Sequence, residues 1–377
     1  MPTLAVEKLV LFDQLGFNPT TYTDKHFDEL CFEYGIELDE VTSERDDAAK
    51  GSLKISKSEL KKLSDAIIYK IDLPANRYDL LCLEGLVRAL QVFLGDREAP
   101  TYTVLPSTSP VVCNVKTSNV NQIRPFIVCA MLKDIEFTQE RYDSFIGLQD
   151  QLHRNLCRQR TLVAIGTHDA DTIQGPFTYD ARAPSDVEFV PLVPNDRSFT
   201  AGELLEHYNT DVACKHLKPY VPIIQNSPVY PVVLDANETV LSLPPIINGD
   251  HSKITLATKN VFIECTATDL TKANIVLDTV VAMFSEYCAQ PFTVEPVQVN
   301  YLEGDTVVNS YVTPQMATRM ETARVDFVNS INGISLSAAE MVTLCNKVQL
   351  GPAQLLENDT VLQVTVPPTP FTRGGYC

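Results

Sequence analysis

Three groups of residues have types and spacings that chemistry can use. The first lies in SLPPIINGDHS, residues 242–252, and FIECTATD, residues 262–269. Pro244-Pro245 and Asn248-Gly249 force a tight, rigid turn, while Glu264 and Thr266, two apart on a strand, project from the same face. A carboxylate and a hydroxyl side by side can grip a hydroxylated ligand. The same pattern also describes an ordinary turn beside an exposed polar strand face. The second group is His168 and Asp169 in AIGTHDADT, just past a strand end. Such a pair can orient a water or a substrate amine; equally, Asp169 can bond local backbone amides while His168 packs. The third is cationic: Arg154, Arg158 and Arg160, near His153. Arg154 and Arg158 are four apart and stack on one helix face, where they either compensate the helix dipole or meet a phosphate.

Other chemistries are set aside. Neither GxxxxGK[ST] nor GxGxxG nor GxSxG occurs, so the familiar nucleotide loops and the nucleophile elbow are missing. The 10 cysteines show no CxxC and no close Cys/His grouping, which argues against a disulfide framework or a zinc site. They read instead as small buried hydrophobes. The 48 acidic against 30 basic side chains leave a net charge of −18, a surface that repels a phosphate backbone unless cations gather on a limited patch. No apolar run approaches the roughly 20 residues that cross a bilayer, and MPTLAVEKLV lacks the pattern of a secretion signal,. Both point to the cytosol, with no membrane partner.

The elements that must position these groups follow from periodicity. A chain of 377 residues, 45% apolar, is long enough for two or three domains. Residues 1–95 read as a small α/β-type domain: a helix capped by Thr23, a charged loop from Asp39 to Lys57, a strand at Ile67–Leu73 and a helix from Asp79. Residues 96–110, punctuated by Pro100, Pro106 and Pro110, read as a linker. Residues 111–290 form a large mixed α+β domain, with helices at Arg141–Arg158 and Lys272–Cys288 and strands at Pro125–Leu132, Leu162–Gly166, Val229–Leu234, Val240–Leu243 and Asn260–Cys265. Beyond Gln290 a polar connector leads to a small α+β module over 300–377, with a helix over Met341–Val348 and a strand at Val361–Val366. The fold class is multidomain α+β.

The strings PANRYDLLCLEGLVRALQVF (74–93), RYDSFIGLQDQLHRNLCRQRTLVAIGTHDADTIQGPFTY (141–179) and LSLPPIINGDHSKIT (241–255) closely resemble the β subunit of cytosolic phenylalanine-tRNA ligase of the eukaryotic and archaeal type. The resemblance runs from residue 1 to about 370. It implies an α2β2 class II synthetase that uses ATP and Mg2+ to join phenylalanine to tRNA(Phe), with the adenylate site on the α subunit. The β subunit would supply assembly surfaces, tRNA contacts and an editing domain, residues 111–290, that hydrolyses Tyr-tRNA(Phe). Glu264, Thr266 and Ser242 fall at the family's substrate-recognising positions, with Glu264 the acceptor for the phenol proton. Asn248, Gly249 and nearby amides would hold the ester while a positioned water attacks; His168 is grouped with them, and Arg154, Arg158 and Arg160 with the tRNA.

Such proofreading has a physical reason. A pocket shaped for phenylalanine rejects an added hydroxyl by only about 10²-fold, whereas one that bonds the hydroxyl rejects its absence by about 10⁴ to 10⁵. Family members continue from a Pro-Pro-Thr like 367–369 into acidic Mg2+ ligands. This chain reads PPTPFTRGGYC, which implies a truncated product without those ligands or the main α-subunit interface, and a last module that is partly disordered. Two other classes stay open: an assembly and RNA-contact subunit with a degenerate pocket, and a free-standing small-molecule hydrolase.

Overall fold

A computed structural model of the chain describes residues 2–50, 63–106 and 110–369. They separate into two compact units, residues 1–100 with 317–377 and residues 101–316. In the first, strands β1 (Thr3–Glu7), β2 (Glu37–Thr42) and β3 (Ile68–Asp72) pair antiparallel in the order β1-β3-β2. The helix Asp24–Tyr34 starts at Thr23, whose hydroxyl accepts the His26 N–H, and it buries Phe27, Leu30, Cys31 and Tyr34, the stripe its spacing predicts. The charged loop expected from Asp39 is instead strand β2 and a helix, Glu44–Lys50. Lys70 on β3 explains this, because it pairs with both Glu40 and Asp47; residues 51–57 of that expectation lie outside the described residues. The helix expected from Asp79 begins later. A buried Arg77–Asp79 ion pair (2.8 Å) fixes one tight turn at Tyr78–Leu80, and the α-helix spans Leu83–Leu94.

The second unit is built on one large sheet. Its strands are β4 (Thr103–Val104), β5 (Val111–Lys116), β6 (Phe126–Leu132), β7 (Val163–Asp169), β8 (Phe177–Arg182), β11 (Tyr230–Leu234), β12 (Val240–Leu243), β13 (Ile247–Asn248), β14 (Val261–Ala267), β15 (Thr293–Glu303) and β16 (Thr306–Thr313), with a separate short pair β9 (Glu188–Phe189) and β10 (Phe199–Thr200). The large sheet runs β13-β12-β11-β8-β5-β15-β6-β14-β7, and β4 and β16 also pair with β15.

The expected connector after Gln290 is therefore wrong, as is the module boundary at 300: β15 lies at the middle of this sheet. Pro296 disguises the strand. Pro296 closes the short β6 ladder of Glu295 and Pro296, and the β5 and β16 ladders on the two edges of β15 both open at Val297, so the missing proline N–H falls where the strand changes partners. β4 likewise makes part of the expected linker a strand.

The sheet curls. Helices Gln139–Arg154 and Leu270–Phe284 cover its β6-β14-β7 end, where Phe145 meets Phe284 edge to face at 4.7 Å. Phe177 and Phe262 stack at 4.1 Å, and the β12–β13 turn is carried onto β7 and β14.

Residues 319–366 belong with the first unit rather than forming a module of their own. Strands β17 (Arg319–Arg324), β18 (Gln354–Leu356) and β19 (Val361–Val366) pair antiparallel in the order β17-β19-β18. The helix Ala338–Lys347 is capped by Ser337, and the Lys347 ammonium lies 5.3 Å over the Phe93 ring. Much of 300–369, expected to be partly disordered, carries regular structure; residues 370–377 lie outside the described residues. The multidomain α+β class is the one the sequence implies.

Candidate functional site

The meeting of β12–β13 with β7–β14 lines an open cavity of about 330 Å³, within the size range of small-ligand sites. Its floor is a carboxylate. Glu264 is 2% exposed and faces Gly166 of β7, its cross-strand partner. A Cβ at 166 would overlap the Glu264 carboxylate, so the glycine is what lets the carboxyl lie over the strand. Oε1 accepts from the Ser242 hydroxyl at 2.8 Å, whereas Oε2 is buried with no partner among the described residues. Desolvation pushes the Glu264 carboxyl up to about 7, against the opposing pull of the Ser242 hydrogen bond and the Arg124 charge,. Near neutral pH it exists both as an acceptor and as an acid.

Pro244 and Pro245 wall the cavity beside it. Asn248 also lines it, half-buried, its side-chain amide donating to the Thr167 carbonyl at 3.3 Å. Gly249 does not serve as expected: its N–H donates to the Leu241 carbonyl at 2.8 Å, so that amide is committed to the turn and cannot hold an ester. Thr266 shares the face of Glu264, yet its hydroxyl accepts from Nε of the buried Arg124 at 3.1 Å and its carbonyl from Nη2 at 2.8 Å. It acts on the site only by fixing that cation.

His168 is fully buried but does not line the cavity. Its Nδ1 lies 2.9 Å from the Ser252 hydroxyl, and burial, with the His251 charge, pushes it down to about 3. It is a neutral packing residue. Asp169 accepts from the Asp171 N–H and the Thr258 hydroxyl, which is the turn chemistry.

The arginines divide. The helix ends at Arg154, and Arg158, Gln159 and Arg160 then take positive φ values of 46°, 52° and 65°. Arg154 and Arg158 are thus both exposed but not stacked on one helix face, because the chain has left the helix. The left-handed run, costly for residues with a Cβ, turns Arg160 inward. Its Nη1 donates to the Pro245 and Ile246 carbonyls at 3.3 and 2.9 Å, and the guanidinium lies 4.2 Å over the Tyr220 ring. Arg160 is therefore a wall of the cavity.

Two wall residues escaped the sequence reading. Gln149 and His153, four apart on the buried face of Gln139–Arg154, both line the cavity. Polar residues on an apolar stripe were the signal. Gly166, isolated in a strand, was another, since such a glycine marks a close approach.

Comparison with known proteins places this geometry. A model of the Phe-tRNA synthetase β-subunit B1 domain matches residues 1–96, and a B3/4 domain model matches residues 139–289. Phenylalanine–tRNA ligase β subunits from Homo sapiens and Caenorhabditis elegans are 49% and 51% identical over 371 residues, 98% of this chain and 60% of theirs. The Arabidopsis thaliana relative, described as cytoplasmic, is 49% identical over 375 residues. Over almost its whole length the chain is similar to phenylalanine-tRNA ligase β subunits. It spans about 60% of the length of these relatives. The crystal structure of an N-terminal fragment of the phenylalanyl-tRNA synthetase β subunit from Pyrococcus horikoshii superposes with a TM-score of 0.78 at 25% identity, covering 97% of this chain and 94% of that one.

Mg2+ calls for clustered anionic oxygens, whereas the cavity wall carries buried Glu264, exposed Asp150, and the cations Arg160 and Lys253, a set that does not fit it. The sequence reading also saw no metal-ligand grouping, but His207, Asp211 and Cys214 come within 4.8 Å of one another. His207 Nε2 and Asp211 Oδ2 already form a 3.1 Å pair. No described helix is long and apolar enough to cross a membrane.

Proposed function

We propose that this chain serves in a phenylalanine-tRNA ligase of α2β2 form, and that residues 101–316 hydrolyse Tyr-tRNA(Phe). In this reading the whole complex joins phenylalanine to tRNA(Phe) in the cytoplasm using ATP and Mg2+ at the α subunit, while this chain contributes RNA contacts and proofreading. The observation that carries the proofreading is Glu264 Oε2, a buried carboxylate oxygen with no partner among the described residues, on a side chain that lines the cavity.

The chemistry follows from what such an oxygen lacks. A phenol entering the cavity donates to Oε2 and satisfies it. Phenylalanine offers no donor, so its entry strips water from the carboxylate and leaves it unpaired, at a cost of about 1–3 kcal/mol or more. Ser242 holds Oε1 and Gly166 sets the depth, so the acceptor is preorganised. Among the described residues that line the cavity no Ser/His/Asp relay is assembled, and His168 is held in the packing by Ser252. Hydrolysis then rests on orienting the ester and a water.

The competing reading, an assembly and RNA-contact subunit with a degenerate pocket, draws on Thr266, Gly249 and His168 all being committed to structural bonds. One measurement separates them: deacylation of Tyr-tRNA(Phe) and Phe-tRNA(Phe) by the chain, with and without an α subunit. Proofreading predicts preferential loss of tyrosine, with the preference abolished in Glu264→Ala and in the shape-conserving Glu264→Gln. No deacylation at all, or a preference indifferent to residue 264, overturns it.

A further inference from the structure

A separate grouping of chemically capable side chains lies at the end of the helix Ala201–Thr210. His207 is in its last turn, Asp211 caps it, and Cys214 sits in the turn that follows. An imidazole nitrogen, a carboxylate oxygen and a thiol sulfur, one from each, all fall within 4.8 Å of one another. Backbone bonds hold the three in place. The Asp211 N–H donates to the His207 carbonyl at 2.9 Å and the Leu217 N–H to the Cys214 carbonyl at 2.9 Å, while Asp211 Oδ1 accepts the Ala213 N–H at 2.8 Å. An ordinary i,i+4 pair at a helix end would put an imidazole N–H on the carboxylate. Here His207 Nε2 is 3.1 Å from Asp211 Oδ2, yet it is buried and makes no hydrogen bond among the described residues. The two atoms stand close without bonding each other. Cys214, 1% exposed, meets them from the edge of the core that contains Phe199, Leu204, Tyr208 and Leu217.

Close approach of lone-pair atoms that do not bond one another calls for a third body between them. Imidazole, thiolate and carboxylate together select a borderline-soft divalent transition metal over Mg2+ or Ca2+, which prefer oxygen alone. From this we infer that His207 Nε2, Asp211 Oδ2 and Cys214 Sγ form a binding site for a divalent metal of the zinc class, with a water in the fourth position. Around such an ion, with bonds of about 2.0–2.3 Å, ligand atoms stand roughly 3.3–3.6 Å apart. The nitrogen and oxygen are already near that spacing, and rotation of the Cys214 side chain supplies the rest. Burial, then the Asp211 charge, pushes the Cys214 thiol up, so the metal-free site holds S–H. On binding, that bond breaks, its proton leaves to solvent, and the sulfur pair forms the bond to the metal. Thiolate and carboxylate then balance the ion's two charges. The ion staples the end of the helix to the segment leading into Lys218–Ile223, which carries Tyr220 under Arg160.

The test uses the full chain, reduced and freed of metal with a chelator. Calorimetry with ZnCl2 should show one equivalent bound with a Kd of roughly 1 μM or below and one proton released, unchanged by about a thousandfold excess of MgCl2. At about a hundredfold excess of ZnCl2 over Kd, Tm should rise by roughly 5–10 °C. CoCl2 is the spectroscopic probe. It should give a thiolate-to-cobalt charge-transfer band in the near ultraviolet, lost in Cys214→Ser, which exchanges sulfur for oxygen in the same place. His207→Gln and Asp211→Asn should each weaken ZnCl2 binding by at least about tenfold; asparagine keeps the oxygen that accepts from Ala213, so the turn survives. Cys345→Ser, at a cysteine that is only partly buried, should leave the band as it was. A band that survives Cys214→Ser, or zinc bound equally by that variant and the unaltered chain, assigns the metal to other side chains and overturns the site. Should Cys214→Ser fail to fold, the unaltered chain still decides: no charge-transfer band with CoCl2, or less than one equivalent of zinc, overturns it equally.

Discussion

Replacing Glu264 by Gln should make the protein more stable, and only on the alkaline side. The carboxyl is pushed from 4.5 up to about 7 by desolvation, so between those two pH values the native state keeps a proton that the unfolded chain gives up. Stability therefore falls as pH rises through that window. Below about pH 4.5 both states are protonated and the residue is neutral in its effect. Above pH 7 the burial of the anion costs the fold about 3 kcal/mol, the shift of roughly 2.5 units at 1.36 kcal/mol each. Glutamine keeps an oxygen to accept from Ser242, fits over Gly166, and never ionises. For a unit of about 200 residues, 3 kcal/mol corresponds to roughly 6–12 °C in Tm. Calorimetric scans from pH 5 to 8 should show the two proteins melting together at the acid end and diverging steadily, with Glu264→Gln the more stable at pH 8. Parallel curves, or a variant that melts lower at pH 8, would show that the carboxylate is solvated in solution, and the acceptor role would fail with it.

Gly166→Ala should swing the Glu264 carboxyl off the strand, costing about 1–3 kcal/mol of stability and shrinking the preference for Tyr-tRNA(Phe) over Phe-tRNA(Phe) by at least about tenfold; an unaltered preference would refute the placement of the carboxyl over residue 166. Arg154→Glu with Arg158→Glu should weaken tRNA binding and flatten the salt dependence by about 0.7 to 0.9 for each phosphate no longer neutralised, and an unchanged slope in a salt titration would retire both residues as phosphate ligands.

What was legible in the sequence was whatever local pattern alone decides. Thr23 and Ser337 announced their helices because a cap and the apolar stripe behind it lie within a dozen residues. Glu264 stood out by its place beside Thr266 on one strand face, but its partnership with Ser242 was legible only through likeness to a family, because the two meet across the curled sheet rather than along the chain. The misses share a cause. Pro296 argued against a strand, and only its place at the end of the β6 ladder, just before the β5 and β16 ladders open, reconciles it. Thr266 looked like a ligand group until the buried Arg124 claimed it, and nothing near either residue in sequence links them. Arg158 was placed on a helix that three consecutive left-handed residues had already ended.

The cavity's burial and its polarity pull against each other, and their balance gives the site its character. Were Glu264 more exposed, its carboxyl would titrate in the ordinary range and water would compete for the free oxygen, so a missing phenol would cost little. Were it buried without Ser242 and the Arg124 charge, desolvation would hold it as the neutral acid well above neutral pH, a donor as readily as an acceptor. Pushed up to about 7, the carboxyl keeps a substantial anionic fraction at physiological pH while its free oxygen stays buried, which makes an unpaired acceptor expensive. Arg124 therefore bears on discrimination although its side chain is spent on Thr161 and Thr266: its charge, held at a fixed distance by those bonds, is one of the two influences that keep the carboxylate ionised.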